Sequence, residues 1–240
     1  MRICVSGTGS QGKSTFVNDF LKQWPDYITP KETYRDFIGD THSKKTDKET
    51  QLKILNHMVD ETMKHTEGDK VIFDRGPLDN IIYSIWANSK GLVDDDTVNE
   101  GLPLLRESLK FIDIVFFIPV TNVAPVNYDT DEFNESVEKG LTDESFLQEI
   151  DNLYKVLKYD WDNNPNTKFC DPHDRPPIIE IFGRPHERIE MVKWYIDVDG
   201  DLIDNVGVIS QQEIEEMEQL KADLGVQDET SKAYRNPAGK

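Results

Sequence analysis

A glycine-rich loop near the start of the chain has the residue types and the spacing that bind phosphate. Residues 7–14 read GTGSQGKS and match the pattern G-x-x-x-x-G-K-[ST] at every fixed position. Glycines let the backbone wrap closely around a phosphate, so that successive N–H groups point inward. Lys13 should reach the β- and γ-phosphate oxygens, and the Ser14 hydroxyl should ligate Mg²⁺. The residues expected to hold a nucleotide are Gly7, Gly9, Ser10, Gln11, Gly12, Lys13, Ser14 and Thr15.

A carboxylate and a guanidinium follow a predicted strand further along the chain. Asp74 and Arg75 come directly after residues 70–73, which predict a strand. Because ligands of open parallel sheets lie beyond the carboxyl ends of the strands, both side chains should face the phosphate site. There Asp74 could hold Mg²⁺ directly or through water, and Arg75 could bridge phosphates with its planar guanidinium. A salt bridge at the strand end is the alternative interpretation of the pair.

Two charged residues after another predicted strand could serve the acceptor of a reaction. Glu32 follows residues 27–29, which predict a short strand, and its carboxylate would lie at the same edge of the sheet. At that edge it could orient a substrate hydroxyl or accept its proton. Arg35 would face the same cleft if a helix begins there. The acceptor side is therefore expected to consist of Glu32, Arg35 and Arg75.

Strands and helices alternate along most of the chain, which predicts an α/β fold with a mostly parallel sheet. Apolar runs predict five strands, at 2–6, 27–29, 70–73, 111–118 and 178–182. Apolar residues at helical spacing predict helices behind the glycine loop and at 48–66, 78–86, 96–110, 146–157 and 185–196.

The pattern divides the chain into a domain of residues 1–197 and an extension of residues 198–240. Inside the domain, residues 121–142 are polar and form a longer connection than ordinary loops, which predicts either a lid or a disordered segment. At the start of the extension we expect a hairpin at 194–208. Within it we expect a charged helix at 211–223 and a loose tail at 226–240.

The composition disfavours some classes of partner. The 240 residues carry 46 acidic and 27 basic side chains, which give a formal charge of −19. Duplex binding normally depends on basic patches, so this acidity disfavours nucleic acid. The longest apolar run, 114–118, is far below the roughly 20 residues of a membrane span. Cys4 and Cys170 are too few for a disulfide scaffold, so we expect reduced thiols, a cytoplasmic protein and no membrane partner.

Four segments, in this order, resemble the P-loop nucleoside and nucleotide kinases. They are residues 7–15, 31–35 (KETYR), 73–76 (FDRG) and 181–188 (IFGRPHER). The resemblance covers the domain of residues 1–197 and points to the AAA-type ATPase-like branch, which is related to nicotinamide-riboside kinases and phage-encoded nucleotide kinases. It implies a three-layer P-loop NTPase sandwich, with a mostly parallel five-stranded sheet between helices on both faces.

The resemblance also implies roles for single residues. Glu32 looks like the carboxylate on the acceptor side, and Asp74 with Arg75 is similar to the Asp-Arg pair of thymidylate- and deoxynucleoside-kinase-like enzymes. Arg188 would lie on the helix behind the turn that faces adenine. The residues that look like this turn are Gly183, Arg184 and Pro185.

The lid candidate at 121–142 departs from the kinase pattern. Kinase lids commonly supply an arginine to the transferring phosphoryl group, yet residues 121–163 contain no arginine. Lys139 could replace it as a point charge without bidentate geometry. Otherwise the charge would come from outside the lid, from Arg75, Arg175 or Arg184.

These features favour a kinase in which Mg·ATP donates its γ-phosphoryl group to a small nucleoside or nucleotide. The catalytic residues would be Lys13, Glu32, Asp74 and Arg75, and Ser14 and Asp74 would bind Mg²⁺. One alternative is a DNA-modifying kinase that acts on a hydroxylated base, although the net charge disfavours DNA. Another is a nucleotide-binding ATPase or switch without a small-molecule acceptor. The acceptor and the oligomeric state stay open at this point.

Overall fold

The computed structural model describes residues 1–31, 43–122, 130–140 and 142–203. Several sequence predictions fall outside these residues. They are the acceptor-side residues Glu32 and Arg35, the second arm of the hairpin beyond residue 203, the charged helix at 211–223 and the tail.

The described residues contain one sheet of four parallel strands. They are β1 (Arg2–Ser6), β2 (Val71–Asp74), β3 (Ile114–Phe117) and β4 (Ile178–Glu180). Their order across the sheet is β2-β1-β3-β4, and every neighbouring pair is parallel. The predicted α/β fold is therefore confirmed, with β1 and β3 at the centre of the sheet.

The sheet was expected to have five strands, and residues 27–29 account for the difference. Ile28 forms only a single bridge to β2, in which its N–H donates to the Lys70 carbonyl and its carbonyl accepts from the Ile72 N–H, both at 2.9 Å. Pro30 follows closely and has no N–H with which to continue a ladder. Ile28 is also 59% exposed, so its side chain gains little from the core. The segment is a one-residue bridge for these reasons.

Seven α-helices lie in the described part of the chain. They are α1 (Lys13–Gln23), α2 (Lys48–Met63), α3 (Pro77–Ser89), α4 (Asp95–Leu109), α5 (Asp131–Glu138), α6 (Glu144–Asn163) and α7 (Pro185–Val192). Single 3₁₀ turns occur at Ser43–Lys45 and Pro172–Asp174. None of the helices described here combines the length and the apolar character needed to cross a bilayer.

Four helices begin at a side chain that accepts a hydrogen bond from the backbone N–H three residues later. These donor–acceptor distances lie between 2.8 and 3.2 Å. Such caps satisfy donors that have no partner inside the helix. The capping residues of α2, α4, α5 and α6 are Asp47, Asp94, Thr130 and Asp143.

Two predicted boundaries were wrong, one of them because a long-range contact precedes the element. The strand predicted at 111–118 begins only at Ile114, because Asp113 turns toward Arg2. The Asp113 carboxylate accepts from the Arg2 backbone N–H at 2.6 Å and from the guanidinium at 2.7 Å. The helix predicted at 185–196 ends at Val192. Part of the lid candidate is helical, because α5 lies within it. Phe133 of this helix is buried, with 7% of the residue exposed.

The two faces of the sheet are covered by different helices, which gives the expected three layers. Successive strand residues point to opposite faces, so each strand supplies apolar side chains to both cores. One core packs α2, α3, α4 and α6 against the sheet and includes Cys4, Leu55, Ile81, Leu105, Val115, Phe117, Ile150 and Tyr154. The other packs α1 and α7 and includes Ile3, Val5, Phe16, Phe20, Ile114, Phe116, Ile189 and Val192.

The predicted hairpin after α7 is a tight turn as far as residue 203. Ile196 and Leu202 form a single antiparallel bridge. The turn between them packs on the end of α1, because Trp24 Nε1 donates to the Asp197 carbonyl at 2.8 Å and the Tyr27 hydroxyl donates to the Gly200 carbonyl at 2.5 Å. The domain boundary at residue 197 stays a prediction.

The close approach of β1 to the start of α3 yields a first prediction. A Cβ atom at Gly76 would lie 2.6 Å from Cys4 Sγ, and Cys4 is fully buried. We expect Gly76→Ala to lower the free energy of unfolding by about 1–3 kcal/mol, the usual cost of overpacking. Urea denaturation followed by fluorescence measures this change.

The matched control places the same substitution in a Cys4→Ala background. There the remaining Cβ of residue 4 is 3.8 Å from the new methyl group, an ordinary contact. Gly76→Ala should therefore cost clearly less in the Cys4→Ala protein than in the wild type. An equal cost in both backgrounds would contradict the assigned clash.

Candidate nucleotide-binding site

The glycine loop joins β1 to α1 at the carboxyl edge of the sheet and has an unusual backbone. Gly7, Ser10 and Gly12 have φ angles of 142°, 57° and 72°. Gly7 is required for space as well, because a Cβ atom there would lie 2.6 Å from the Ile118 carbonyl oxygen after β3. Such left-handed positions let a loop turn its N–H groups to one side, as an anion nest requires.

Lys13 is the first residue of α1 and lies against the loop. Its side chain is largely buried, with 5% of the residue exposed. Its ammonium group donates a hydrogen bond to the Thr8 carbonyl oxygen. The ammonium group therefore contacts the loop that precedes it, and its contact with phosphates stays a prediction.

Ser14 and Asp74 are brought together by the sheet. Asp74 ends β2 and pairs in register with Val5 of β1, two residues before the glycine loop. The Ser14 hydroxyl donates to Asp74 Oδ2 at 2.5 Å. Their side chains meet at the carboxyl edge of the sheet, as the sequence predicted. Their assignment as metal ligands stays a prediction.

The donor set of Ser14 and Asp74 fits Mg²⁺. Both groups offer oxygen, and adjacent ligands in an octahedron of about 2.1 Å radius lie about 3 Å apart. The two oxygens are 2.5 Å apart in the structure, so a small separation would admit the ion. Within the described ranges no cluster of three or more His, Cys, Asp or Glu residues could hold a metal. Mg²⁺ is commonly bound by one or two side chains together with phosphates.

Arg75 lies behind the glycine loop and is held by protein groups. Its φ angle is 82°, and its side chain is only 7% exposed. The guanidinium donates to the Gly7 carbonyl at 3.1 Å, to Asp79 Oδ1 at 3.0 Å and to the Tyr83 hydroxyl at 3.3 Å. The salt bridge considered as an alternative is thus present, with Asp79 as the partner. The bridging of phosphates by Arg75 stays a prediction.

Asp79 is a buried carboxylate that the sequence analysis missed. It is 1% exposed and accepts four hydrogen bonds. The donors are the Ser6 hydroxyl at 2.7 Å, the Gly76 N–H at 3.2 Å, the Arg75 guanidinium at 3.0 Å and the Tyr154 hydroxyl at 2.6 Å. One carboxylate therefore joins the end of β1, the start of α3 and helix α6 beneath the loop.

A local signal could have identified Asp79. It is the third residue of a helix that begins with Pro77 after Gly76, and an acidic residue at this position commonly receives the N–H of the capping residue. Burial and, secondarily, the Asp79 charge raise the pKa of Tyr154 far above its usual value. Tyr154 therefore stays protonated and donates to the carboxylate.

The loop after β4 lies at the same edge and contacts the glycine loop through Arg188. Gly183 has a φ angle of 87°, and a Cβ atom there would lie 2.6 Å from Glu187 Oε2. Arg188 Nε donates to the Gly183 carbonyl at 2.9 Å, and Nη1 donates to the Gln11 carbonyl at 2.7 Å. Arg184 is exposed, and Pro185 begins α7. Their contact with adenine stays a prediction.

The candidates for the missing lid arginine lie in different places. Arg175 donates to the carbonyls of Trp161, Asn164 and Pro165 at 2.7–3.2 Å, and it precedes β4. It therefore lies at the opposite edge of the sheet and does not serve the phosphate site. Lys139 is exposed at the end of α5. Its role, like those of Arg75 and Arg184, stays a prediction.

The first two thirds of the chain match the model of a known protein family. Residues 2–161 match the family model described as AAA domain. The chain belongs to this AAA domain family. The sequence-based resemblance to the AAA-type branch is thereby confirmed. The chain has no significant match among curated protein sequences.

Solved structures show the same fold at low sequence identity. Deoxyadenosine kinase from M. mycoides with the products dCMP and a flexible dCDP is 19% identical, with a TM-score of 0.56 over 80% of this chain and 96% of that chain. The same enzyme with dCTP is 20% identical, with a TM-score of 0.54 and the same coverage. The NadR protein in complex with NR is 15% identical, with a TM-score of 0.54 over 85% of this chain and 53% of that chain. This chain thus spans about half of the NadR chain.

A second prediction tests the buried carboxylate. Asp79→Asn replaces one acceptor oxygen by a donor among groups that already donate, so we expect the free energy of unfolding to fall by about 2–4 kcal/mol. The control is Asp74→Asn, because Asp74 is a partly exposed carboxylate at the end of β2 that accepts a hydrogen bond from the Ser14 hydroxyl. This control should change stability by no more than about 0.5 kcal/mol. Equal losses in the two variants would contradict the role given to Asp79.

Proposed function

We propose that this AAA domain is an ATP- and Mg²⁺-dependent kinase that phosphorylates a small nucleoside or nucleotide. The observation that carries the proposal is the hydrogen bond from Ser14, the last residue of the complete glycine loop, to Asp74. The fold supports the proposal, because the structures that share it include a deoxyadenosine kinase with dCMP and the NadR protein with NR.

The binding of the phosphates would use the loop and the start of α1. The N–H groups of residues 7–14 form the cradle, and the helix contributes its unsatisfied N–H donors and positive dipole end. Lys13 would leave the Thr8 carbonyl for the β- and γ-phosphates. Bound by Ser14 and Asp74, Mg²⁺ would supply charge neutralisation at the same phosphates.

Catalysis would then consist mainly of positioning and charge stabilisation, as in other phosphoryl transfers. The chain carries a formal charge of −19, so cations near the loop are essential for holding a polyanion. Lys13, Arg75 and Arg188 are three such cations, and all of them contact backbone carbonyls of the loop. On the acceptor side we assign Glu32 to orient the attacking group and Arg35 to bind the substrate.

The proposal is tested by an acceptor panel with Lys13 variants. Purified protein is incubated with Mg²⁺ and ATP labelled in the γ-phosphoryl group. Each reaction also contains one acceptor class: nucleosides, nucleoside monophosphates or DNA. Mass spectrometry identifies the products. We expect a phosphorylated small molecule, and we expect Lys13→Met to lower its rate of formation at least 100-fold. The control is Lys22→Met, because Lys22 lies on the same helix, is exposed and pairs with Asp19. It should retain wild-type turnover.

Other results would favour the alternative functions. Transfer that depends on DNA and weakens steeply with salt would indicate a DNA-modifying kinase. Hydrolysis of ATP without any phosphorylated acceptor would indicate an ATPase or switch. Full activity of a folded Lys13→Met protein would contradict the assigned site.

A further inference from the structure

Arg188 is a buried cation that makes no ion pair among the described residues. It is 5% exposed, and none of the salt bridges found in the described ranges includes it. Burial lowers the pKa of its guanidinium. An unpaired buried charge is costly, and an apolar side chain of similar length could fill the same space. The charge therefore needs an explanation beyond packing.

The two acceptors of Arg188 lie far apart in the sequence. Its Nε binds the Gly183 carbonyl of the loop after β4, and its Nη1 binds the Gln11 carbonyl of the glycine loop. The planar guanidinium can hold both at once, because its donors diverge in a fixed geometry. A lysine ammonium group could keep the charge but not this fixed bridge.

The contact with the Gln11 carbonyl determines the direction of the next N–H group. All peptide bonds of the described chain are trans. In a planar trans peptide the carbonyl and the following N–H point in opposite directions. Because Arg188 holds the Gln11 carbonyl on its own side, the Gly12 N–H is turned to the other side of the loop. Gly12 has a φ of 72°, and glycine adopts positive and negative φ about equally readily, so backbone preference alone does not fix this orientation.

The Gln11 side chain leaves this peptide without other support. The residue is 4% exposed, and neither polar atom of its carboxamide has a hydrogen-bond partner in the described structure. Without Arg188, the Gln11 carbonyl would lose the hydrogen bond that it accepts here, and the Gln11 side chain makes none that could replace it. The peptide between Gln11 and Gly12 would then be free to rotate.

We propose that Arg188 is a positioning residue for ATP: it directs the Gly12 N–H toward the phosphates and fixes the loop of residues 183–185 relative to the glycine loop. The inference rests on the proposed function, because it requires the glycine loop to take phosphates and residues 183–185 to face the base. Arg188 thereby couples the two parts of the nucleotide site. The negative phosphates in turn supply the counter-charge that the guanidinium lacks.

The test compares ATP with inorganic tripolyphosphate, which carries phosphates but no base. Isothermal titration calorimetry measures both affinities, with Mg²⁺, for the full chain, for Arg188→Met and for Arg188→Lys. We expect Arg188→Met to weaken both ligands at least 10-fold, the effect of losing one charge-assisted hydrogen bond. We expect Arg188→Lys to restore much of the tripolyphosphate affinity but little of the ATP affinity, because the lysine keeps the charge without the bridge. Lys193→Met, an exposed residue just after α7 that pairs with Glu190, is the control and should bind both ligands as the wild type does.

A spectroscopic signature separates positioning from a merely structural role. In ¹⁵N-labelled protein, tripolyphosphate should shift the Gly12 amide proton downfield in the wild type and much less in Arg188→Met. A loss of thermal stability alone, with both affinities within twofold of the wild type, would overturn the inference. So would an unchanged ratio of ATP to tripolyphosphate affinity in Arg188→Lys. If Arg188→Met does not fold, Arg188→Lys decides the question by the same criteria.

The failure of the proposed function gives a different result. Wild-type protein that binds ATP and tripolyphosphate but phosphorylates no acceptor contradicts the kinase and leaves the Arg188 comparison valid. Wild-type protein that binds neither ligand contradicts both proposals.

Discussion

Two backbone carbonyl groups of the glycine loop accept hydrogen bonds from buried arginine side chains that are not part of the loop. The candidate site depends on these contacts. Arg75 binds the Gly7 carbonyl and Arg188 binds the Gln11 carbonyl. Because the carbonyl and the following N–H of a trans peptide point in opposite directions, each contact turns a donor to the other side of the loop. A phosphate site of this kind consists of such donors. The arginines therefore shape the site whether or not they touch the ligand.

The three layers of the fold explain how these contacts are held in place. Arg75 lies at the start of α3, which packs in one core, whereas Arg188 lies on α7, which packs in the other. The loop between β1 and α1 is thus fixed from both faces of the sheet. Beneath it, Asp79 accepts hydrogen bonds from four groups of three elements, including Arg75. Close packing makes such an arrangement rigid, which suits a site that binds by preorganised donors.

Local patterns in the sequence predicted the parts of the site that depend on spacing and on strand direction. The loop of residues 7–14 is a local motif, and the parallel sheet brings Asp74 to Ser14, as the rule for strand ends predicts. The sequence did not reveal Asp79 or the contact of Arg188 with Gln11. Their partners are up to 177 residues away, and side-chain direction over such a separation follows from packing. The apolar pattern of residues 27–29 predicted a strand, but Pro30 has no N–H with which to continue a ladder. Arg175 lies at the opposite edge of the sheet from the glycine loop.

A crystal structure of the protein with Mg²⁺ and a non-hydrolysable ATP analogue tests the central claim most directly. The account predicts that the β- and γ-phosphates lie inside the glycine loop, that Ser14 and Asp74 separate around the ion, and that Lys13 has left the Thr8 carbonyl. The carbonyls of Gly7 and Gln11 should still be bound by Arg75 and Arg188. A nucleotide bound elsewhere, or phosphates inside a loop whose Gln11 carbonyl has turned toward them, would contradict the account.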